Sequence, residues 1–263
     1  MPRLAALVSV TESKYIEKTS YLSQLAHEQE LAFRETEGHL ATEFGSEEEW
    51  RRCVQEDFPK FLPYLRHRCG LRFHGRMLEI GAGAAWFSAE LSKLPDVVEV
   101  IATDFSPMLL KELAPKVFAL LQADTAKITR TPADFHKLEF PDTHFDFVVC
   151  SAVLHHAVDM TQVLREARRV LKPRGQLVAI REPVWPLIKF KSRSRTQTKL
   201  VAAGVNEHLY TLAEYRSRFA EAGLALAVKR VNLATGLKFL FNELVNGLTH
   251  ARYAFVATKL QSV

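Results

Sequence analysis

Cysteine is scarce in this sequence. Cys53, Cys69 and Cys150 are its three cysteines; they stand far apart and form no CxxC pair. This argues against a disulfide framework or a zinc knuckle and fits a reducing compartment. Long hydrophobic runs are also missing, and none approaches the ~20 residues that span a bilayer. The opening MPRLAALVSVTESK is interrupted too soon to read as a signal peptide. The expected location is therefore cytoplasmic. Neither sign of charge dominates: 35 Lys and Arg against 30 Asp and Glu give a formal net charge of +5. A mildly basic chain suits an anionic partner but selects none. Internal repeats and low-complexity tracts are absent.

The 263 residues are 48% apolar, enough to bury the core of one large domain. Residues 1–75 read as a helical N-terminal extension or cap. Within it Ser46-Glu47-Glu48-Glu49 has the form of a capping box, and amphipathic sequence runs on to about Leu65. From Arg76 short apolar runs alternate with helical periods: MLEI, AAWFSAELSKL, VVEVIAT, SPMLLKEL, FDFVVCSAV, DMTQVLREARRVLK and QLVAIRE. That alternation predicts βαβ units around a parallel sheet, an α/β fold. Ser106-Pro107 marks one helix start, and Asp159 and Thr211 each precede a Gln or Glu by three residues. Lys172-Pro173-Arg174-Gly175 closes a helix and turns into the next strand. Residues 76–263 are expected to form one domain, with 184–208 and 232–249 as variable elements. LATGLKFLFNELVNGL reads as a helical insertion before the last strand.

The stretch LEIGAGAAWF is also defined by what it lacks. A strand, a glycine turn and a helix start make a cradle in which backbone N–H groups meet a ligand. A dinucleotide loop wants a third glycine at position 86, which is Trp86. A phosphate loop wants GK[ST], yet no basic residue stands between Glu79 and Lys93. Asp104 ends the following apolar strand, where an acid accepts bonds from ribose hydroxyls or caps the next helix. Asp134-Phe135 pairs a carboxylate with an aromatic, suited to an adenine amine and ring face. Together these describe a positively charged nucleoside without phosphates, and S-adenosylmethionine fits.

With these motifs in this order, the chain resembles the class I S-adenosylmethionine-dependent methyltransferases, in particular the broad small-molecule group with an LHH motif. The resemblance runs from LEIGAGAAWF through TDFSPMLL and ADFHKLEFPDTHFDFVVCSAVLHHAVD to VLREARRVLKPRGQLVAIREP. Ala85 stands where many members have a third glycine. The resemblance implies a Rossmann-like, mostly parallel sheet of seven strands with an antiparallel last hairpin and helices on both faces. It places Glu79, Gly81, Ala82, Gly83, Asp104, Phe105, Met108, Asp134, Phe135 and Ser151 around S-adenosylmethionine.

Methyl transfer is an in-line displacement in which the cofactor supplies the activation; the protein aligns the nucleophile and, where needed, takes a proton. His155 is the first candidate base. Its neighbour His156 diverges from it, so the two do not read as a metal pair. Glu182, after the fifth strand of the pattern, faces the cleft or caps the next segment. His208 and Tyr210, in GVNEHLYT, read as a substrate rim. No metal is expected. The expected partner is a small-molecule acceptor methylated at O, N or C, aromatic or lipidic in one reading, and the chain is expected to be a monomer or homodimer.

Leu237, Phe239, Leu240, Phe241 and Leu244 of the insertion read first as core packing or a dimer contact, alternatively as a lid. The five basic residues of KFKSRSRTQTK keep a nucleic-acid partner, and an RNA-modifying methyltransferase, open as alternatives. A cofactor-binding protein without turnover is the third reading. Calorimetry gives a direct check: S-adenosylhomocysteine should bind and NAD should not. The reverse result would overturn the cofactor assignment.

Overall fold

The computed structural model describes residues 12–18, 46–185, 208–234, 236–246 and 252–260. The 189–199 basic run and Glu207 lie outside them. Eight strands form one sheet in the order β1-β4-β3-β2-β5-β6-β8-β7. They are β1 (Lys14–Tyr15), β2 (Gly75–Ile80), β3 (Val97–Asp104), β4 (Ile128–Pro132), β5 (Phe145–Ser151), β6 (Leu171–Ile180), β7 (Leu224–Arg230) and β8 (Tyr253–Lys259). The pairings from β1 across to β6 are parallel, and β8 runs antiparallel to β6 and β7. This is the expected sheet with one strand added.

The added strand corrects the all-helical reading of residues 1–75. Two residues carry no periodicity, so β1 leaves no signal in the sequence. The buried Arg130 of β4 holds it in place by donating from Nη2 to the Ser13 carbonyl at 2.9 Å. The amphipathic run to Leu65 is likewise not one helix. It divides into α1 (Glu47–Arg52), a π-turn (Cys53–Asp57) and α2 (Phe61–His67). Ser46 caps α1 as expected, accepting from the Glu49 N–H at 3.1 Å.

The remaining helices are α3 (Trp86–Ser92), α4 (Ala114–Leu121), α5 (Met160–Val170), α6 (Leu212–Glu221) and α7 (Leu237–Asn246). Thr211 and Glu214 complete the capping box of α6. Asp159 caps α5 through the Gln162 N–H, while the Gln162 amide reaches instead to the His136 carbonyl. The KPRG turn forms as an irregularity inside β6, with Arg174 at φ 65°.

Alternate strand residues feed two cores, as the two-residue period requires. Met77, Val149 and Val178 pack with Trp50, Phe58 and Leu65 on one face. Leu78, Val148 and Ala179 pack with Val163, Leu164, Tyr215 and Phe219 on the other. Strands buried on both faces read as continuous apolar runs, which is why MLEI and FVVC stand out.

One buried carboxylate ties the central strand to its helix. Ala85 offers α3 no side-chain cap. Glu79 of β2 takes that role, accepting from the Ser88 backbone N–H at 2.8 Å and from its hydroxyl. Burial pushes the Glu79 carboxyl up to about 8; the Ser88 bonds oppose this and the nearby Asp104 adds to it. A carboxyl that holds its proton more tightly when folded stabilises the fold fully below its ordinary value of 4.5. The contribution is lost as pH rises through about 8. Glu79→Gln keeps an acceptor and removes the titration. Its melting temperature should therefore fall less than wild type's between about pH 5 and 8. The difference should be at least ~2–4 °C, or about 1 kcal/mol in a domain of this size. Parallel curves for the two proteins would count against a raised Glu79.

Candidate functional site

The site lies at the carboxyl end of the sheet. Three adjacent strands, β2, β5 and β6, leave it through residues with left-handed backbone: Gly81 at φ 59°, Ala152 at 59° and Arg181 at 61°. Alanine and arginine adopt this conformation only when the surroundings enforce it, and such residues gather at binding and catalytic sites.

The turn after β2 continues with Gly83 at φ 54° and Ala85 at 57°. A Cβ at Gly81 would stand 2.5 Å from the Val153 side chain, whereas one at Gly83 would meet nothing within 4 Å. Gly81 is therefore required by packing, and Gly83 opens onto free space. Ala85 sits at an angle that glycine adopts without strain. Trp86, which replaces the dinucleotide glycine, is buried between Phe87 and Phe58, with both ring centroids at 5.0 Å.

The Ala82 N–H donates to the Thr103 carbonyl at 2.8 Å, binding the loop to β3. Asp104 is buried between the two strand ends. Its Oδ2 accepts from the Gly83 N–H at 2.7 Å and its Oδ1 from the Ser106 N–H at 2.9 Å. Asp104 thus ties the glycine loop to the turn before the next helix. Ser106 also accepts from the Leu109 N–H at 3.5 Å.

Asp134 is buried in the loop after β4. Its Oδ1 accepts from the His136 N–H at 2.8 Å and faces His136 Nδ1 at 3.1 Å. The Asp159 N–H donates to His136 Nε2 at 3.3 Å. An acceptor at Nε2 puts the ring proton on Nδ1, so His136 donates to Asp134. His136 was not singled out in the sequence, where a histidine beside a loop acid carries no signal of its own. It fastens the Asp134-Phe135 loop to the start of α5. Phe135 is buried against His136 with ring centroids 4.7 Å apart, and Phe105 and Met108 are half-buried.

Glu79, Asp104 and Asp134 thus gather as buried acids around a loop that contains no basic side chain. These acceptors suit a cation bearing hydroxyls, and the loop offers phosphate no basic partner. The residues present fit S-adenosylmethionine: Gly83 opens onto free space, Asp104 is an acid at the loop, and Glu79 is bonded to the helix that follows it.

The acceptor-side candidates come together on the neighbouring strands. Glu182 follows β6 by two residues and is buried. Its Oε1 accepts from the Val153 N–H at 2.8 Å and the Leu154 N–H at 3.0 Å. Its Oε2 accepts from the His155 N–H at 3.2 Å and lies 2.8 Å from His155 Nδ1. Burial works against ionisation of Glu182. The His155 ring and the turn's N–H groups outweigh it and hold the carboxyl below its ordinary value. An ionised carboxylate only accepts, so His155 donates to Glu182 from Nδ1. The His208 N–H donates to the His155 carbonyl at 3.1 Å, and the exposed His208 ring stacks on Tyr210 at 5.4 Å. Burial raises the Tyr210 hydroxyl above its ordinary value.

Arg181 was also passed over in the sequence. Its Nη1 donates to the Ser151 hydroxyl at 3.2 Å, and its guanidinium lies 4.0 Å from the centroid of Phe58. It links the ends of β5 and β6 to the N-terminal helices. Among the described residues no cluster of His, Cys, Asp and Glu has the form of a metal site, and no helix is long and apolar enough to cross a membrane. The three cysteines are free.

Residues 78–179 match the family described as a methyltransferase domain. The demethylmenaquinone methyltransferase of Deinococcus radiodurans is 33% identical over 108 residues, 41% of this chain and 43% of that protein. The ubiquinone/menaquinone biosynthesis C-methyltransferase of Pseudomonas aeruginosa is 31% identical over 112 residues, 42% of this chain and 43% of that protein. The match thus spans less than half of either relative. Among solved structures, the phosphoethanolamine N-methyltransferase 2 of Haemonchus contortus with S-adenosylhomocysteine has a TM-score of 0.63 at 16% identity, covering 90% of this chain and 61% of that one. An S-adenosylmethionine-dependent methyltransferase of Mesorhizobium loti has a TM-score of 0.57 at 21% identity, covering 74% and 97%. Residues 78–179 match a methyltransferase domain, and the fold that contains them is shared with S-adenosylmethionine-dependent methyltransferases of known structure. That stretch contains Gly81, Asp104, Asp134 and His155 but ends before Glu182, His208 and Tyr210.

The two glycines separate packing from binding. Gly81→Ala should lower the melting temperature markedly, because its methyl meets Val153. Gly83→Ala should cost only about 1–2 kcal/mol of backbone strain, yet weaken S-adenosylhomocysteine by at least about tenfold. Thermal melts and calorimetry on both variants provide the check. Wild-type affinity in Gly83→Ala would remove that position from the ligand's path.

Proposed function

We propose that this chain, built around the domain at 78–179, is a methyltransferase whose small-molecule acceptor surrenders a proton, with His155 as the base. The observation that carries this reading is the buried His155–Glu182 pair at the ends of β5 and β6. Ligands of open α/β sheets bind at that end. A base needs its proton-accepting nitrogen fixed, and the ring Nδ1–H bonded to Glu182 fixes it.

S-adenosylmethionine, when bound, supplies a methyl group already activated on sulfur. The turn from Gly81 to Gly83 and the carboxylate of Asp104 would hold it. His155 takes the acceptor's proton at Nε2, and ionised Glu182 stabilises the positive charge that the ring then carries. Glu182 keeps that charge throughout the neutral range, because its pKa lies below the ordinary 4.5. The stability it contributes is present above that value and lost as pH falls through its lower folded pKa. The acidic limb of an activity profile would therefore report His155.

The acceptor we favour is a hydroxylated ring. The two relatives are named for menaquinone or ubiquinone methylation, and one is a C-methyltransferase. Removing a ring hydroxyl's proton pushes electron density onto ring carbons, so one base serves transfer to carbon or oxygen. His208 and Tyr210 would line the acceptor's entrance. Residues 1–75 would act as a cap on the 76–263 domain, touching the site through Phe58 and Arg181.

The first experiment is incubation of extract and a panel of hydroquinols with methyl-labelled cofactor, followed by mass spectrometry for the labelled product. His155→Ala should then lose on the order of 10²–10⁴ in turnover. Its S-adenosylhomocysteine affinity should remain, and high pH should recover part of the loss. A loss confined to acceptor KM, without recovery at high pH, would make His155 a wall of the pocket. Cofactor binding with no labelled product from any acceptor would favour a protein that binds without turnover.

A further inference from the structure

The insertion between β7 and β8 reads first as core packing or a dimer contact, and the structure removes core packing for three of its apolar residues. Leu237 is 85% exposed, Leu240 65% and Phe241 66%. Positions i, i+3 and i+4 share one face of a helix, so the three side chains of α7 form a single outward apolar strip. The helix is firmly held on its other side. Phe239 lies 4.5 Å beneath the guanidinium of Arg68. The Asn232 side-chain amide donates to the Phe239 carbonyl at 3.0 Å and to Glu243 Oε1 at 2.9 Å.

Exposed cations stand on this helix and in the segments that flank it. Lys238 is exposed on α7 itself, and Lys229 and Arg230 are exposed at the end of β7. Arg252, also exposed, precedes β8 and accepts the Val231 N–H through its carbonyl at 2.7 Å. Arg68 covers Phe239. The acid on this side, Glu243, is engaged by Asn232.

The position is as informative as the composition. β7 and β6 both run antiparallel to β8, so the carboxyl end of β7 lies at the end of the sheet that holds Glu182. It stands two strands from β6, roughly 10 Å at the usual strand spacing.

We propose that α7 anchors the protein on an anionic lipid surface. The Leu237, Leu240 and Phe241 strip enters the boundary between headgroups and acyl chains, and exposed cations among Lys229, Arg230, Lys238 and Arg252 meet lipid phosphates. Ten residues are too short to cross a bilayer, so the helix lies in the surface. The charge pattern favours lipid over a second copy of the chain, because a symmetric contact through this face would oppose identical cations. Anchoring here brings the end of the sheet that carries Glu182 and His155 to the membrane.

Co-sedimentation of the full chain with vesicles tests this without any methyl acceptor. Binding to phosphatidylglycerol-containing vesicles should exceed binding to pure phosphatidylcholine and should fall with salt. Leu240→Glu combined with Phe241→Glu should reduce the anionic-vesicle association constant at least about tenfold, with S-adenosylhomocysteine affinity unchanged. Lys238→Glu should weaken it less. Equal binding of wild type and the double variant would overturn the proposal. So would absent vesicle binding with a dimer, seen by sedimentation velocity, that the double variant abolishes. That result would assign the strip to a second copy. Vesicle binding without S-adenosylhomocysteine binding would leave the anchor standing and remove the methyltransferase reading.

Discussion

Buried carboxylates hold the carboxyl end of this sheet together. Where parallel strands run out, the backbone N–H groups of the following turns have no ladder partner, and burying them unpaired is costly. Four acids supply the acceptors. Glu79 takes the Ser88 N–H, Asp104 those of Gly83 and Ser106, and Asp134 that of His136. Glu182 takes those of Val153, Leu154 and His155. Each turn is fixed by a buried acid, without recourse to lysine or arginine in the glycine loop. Acceptors at the strand ends, with no basic side chain in the loop, are the same feature that suits a cationic nucleoside and offers phosphate no partner.

The same acids explain how strained backbone persists. Ala85, Ala152 and Arg181 hold left-handed angles at a cost of about 1 kcal/mol or more each. Val153 and Leu154, just beyond Ala152, are pinned by Glu182, which itself follows Arg181. The strain and the hydrogen bonds therefore belong to one unit, and that unit positions His155. Trp86 and Arg181 extend it to the N-terminal helices, since both pack on Phe58. An edit to that aromatic contact would reach the site through the strand ends rather than by direct contact with a ligand.

The sheet was legible because strands buried on both faces show as short apolar runs separated by helical periods. The glycine turn, Asp104 and Asp134 were legible because they stand at fixed offsets from those runs. What stayed hidden had no pattern to carry it. Strand β1 is two residues long, and its partner Arg130 lies more than a hundred positions away. The π-turn that divides α1 from α2 falls in sequence that reads as one amphipathic helix. The insertion's apolar residues have the spacing of a core helix, and spacing cannot tell which side of a helix meets protein.

The sequence by itself determined the fold class and the kind of ligand it suits, and it drew attention to the glycine turn and the acids at the strand ends, because these depend on local period and on residue type. Tertiary structure alone decided the pairings. His155 and Glu182 were separate candidates 27 positions apart until adjacent strands brought them within 2.8 Å. His136 and Arg181 acquired roles only from what stands beside them. Hydrogen bonds of this kind depend on which strand ends are neighbours and how their turns twist, and those relations exist only in three dimensions.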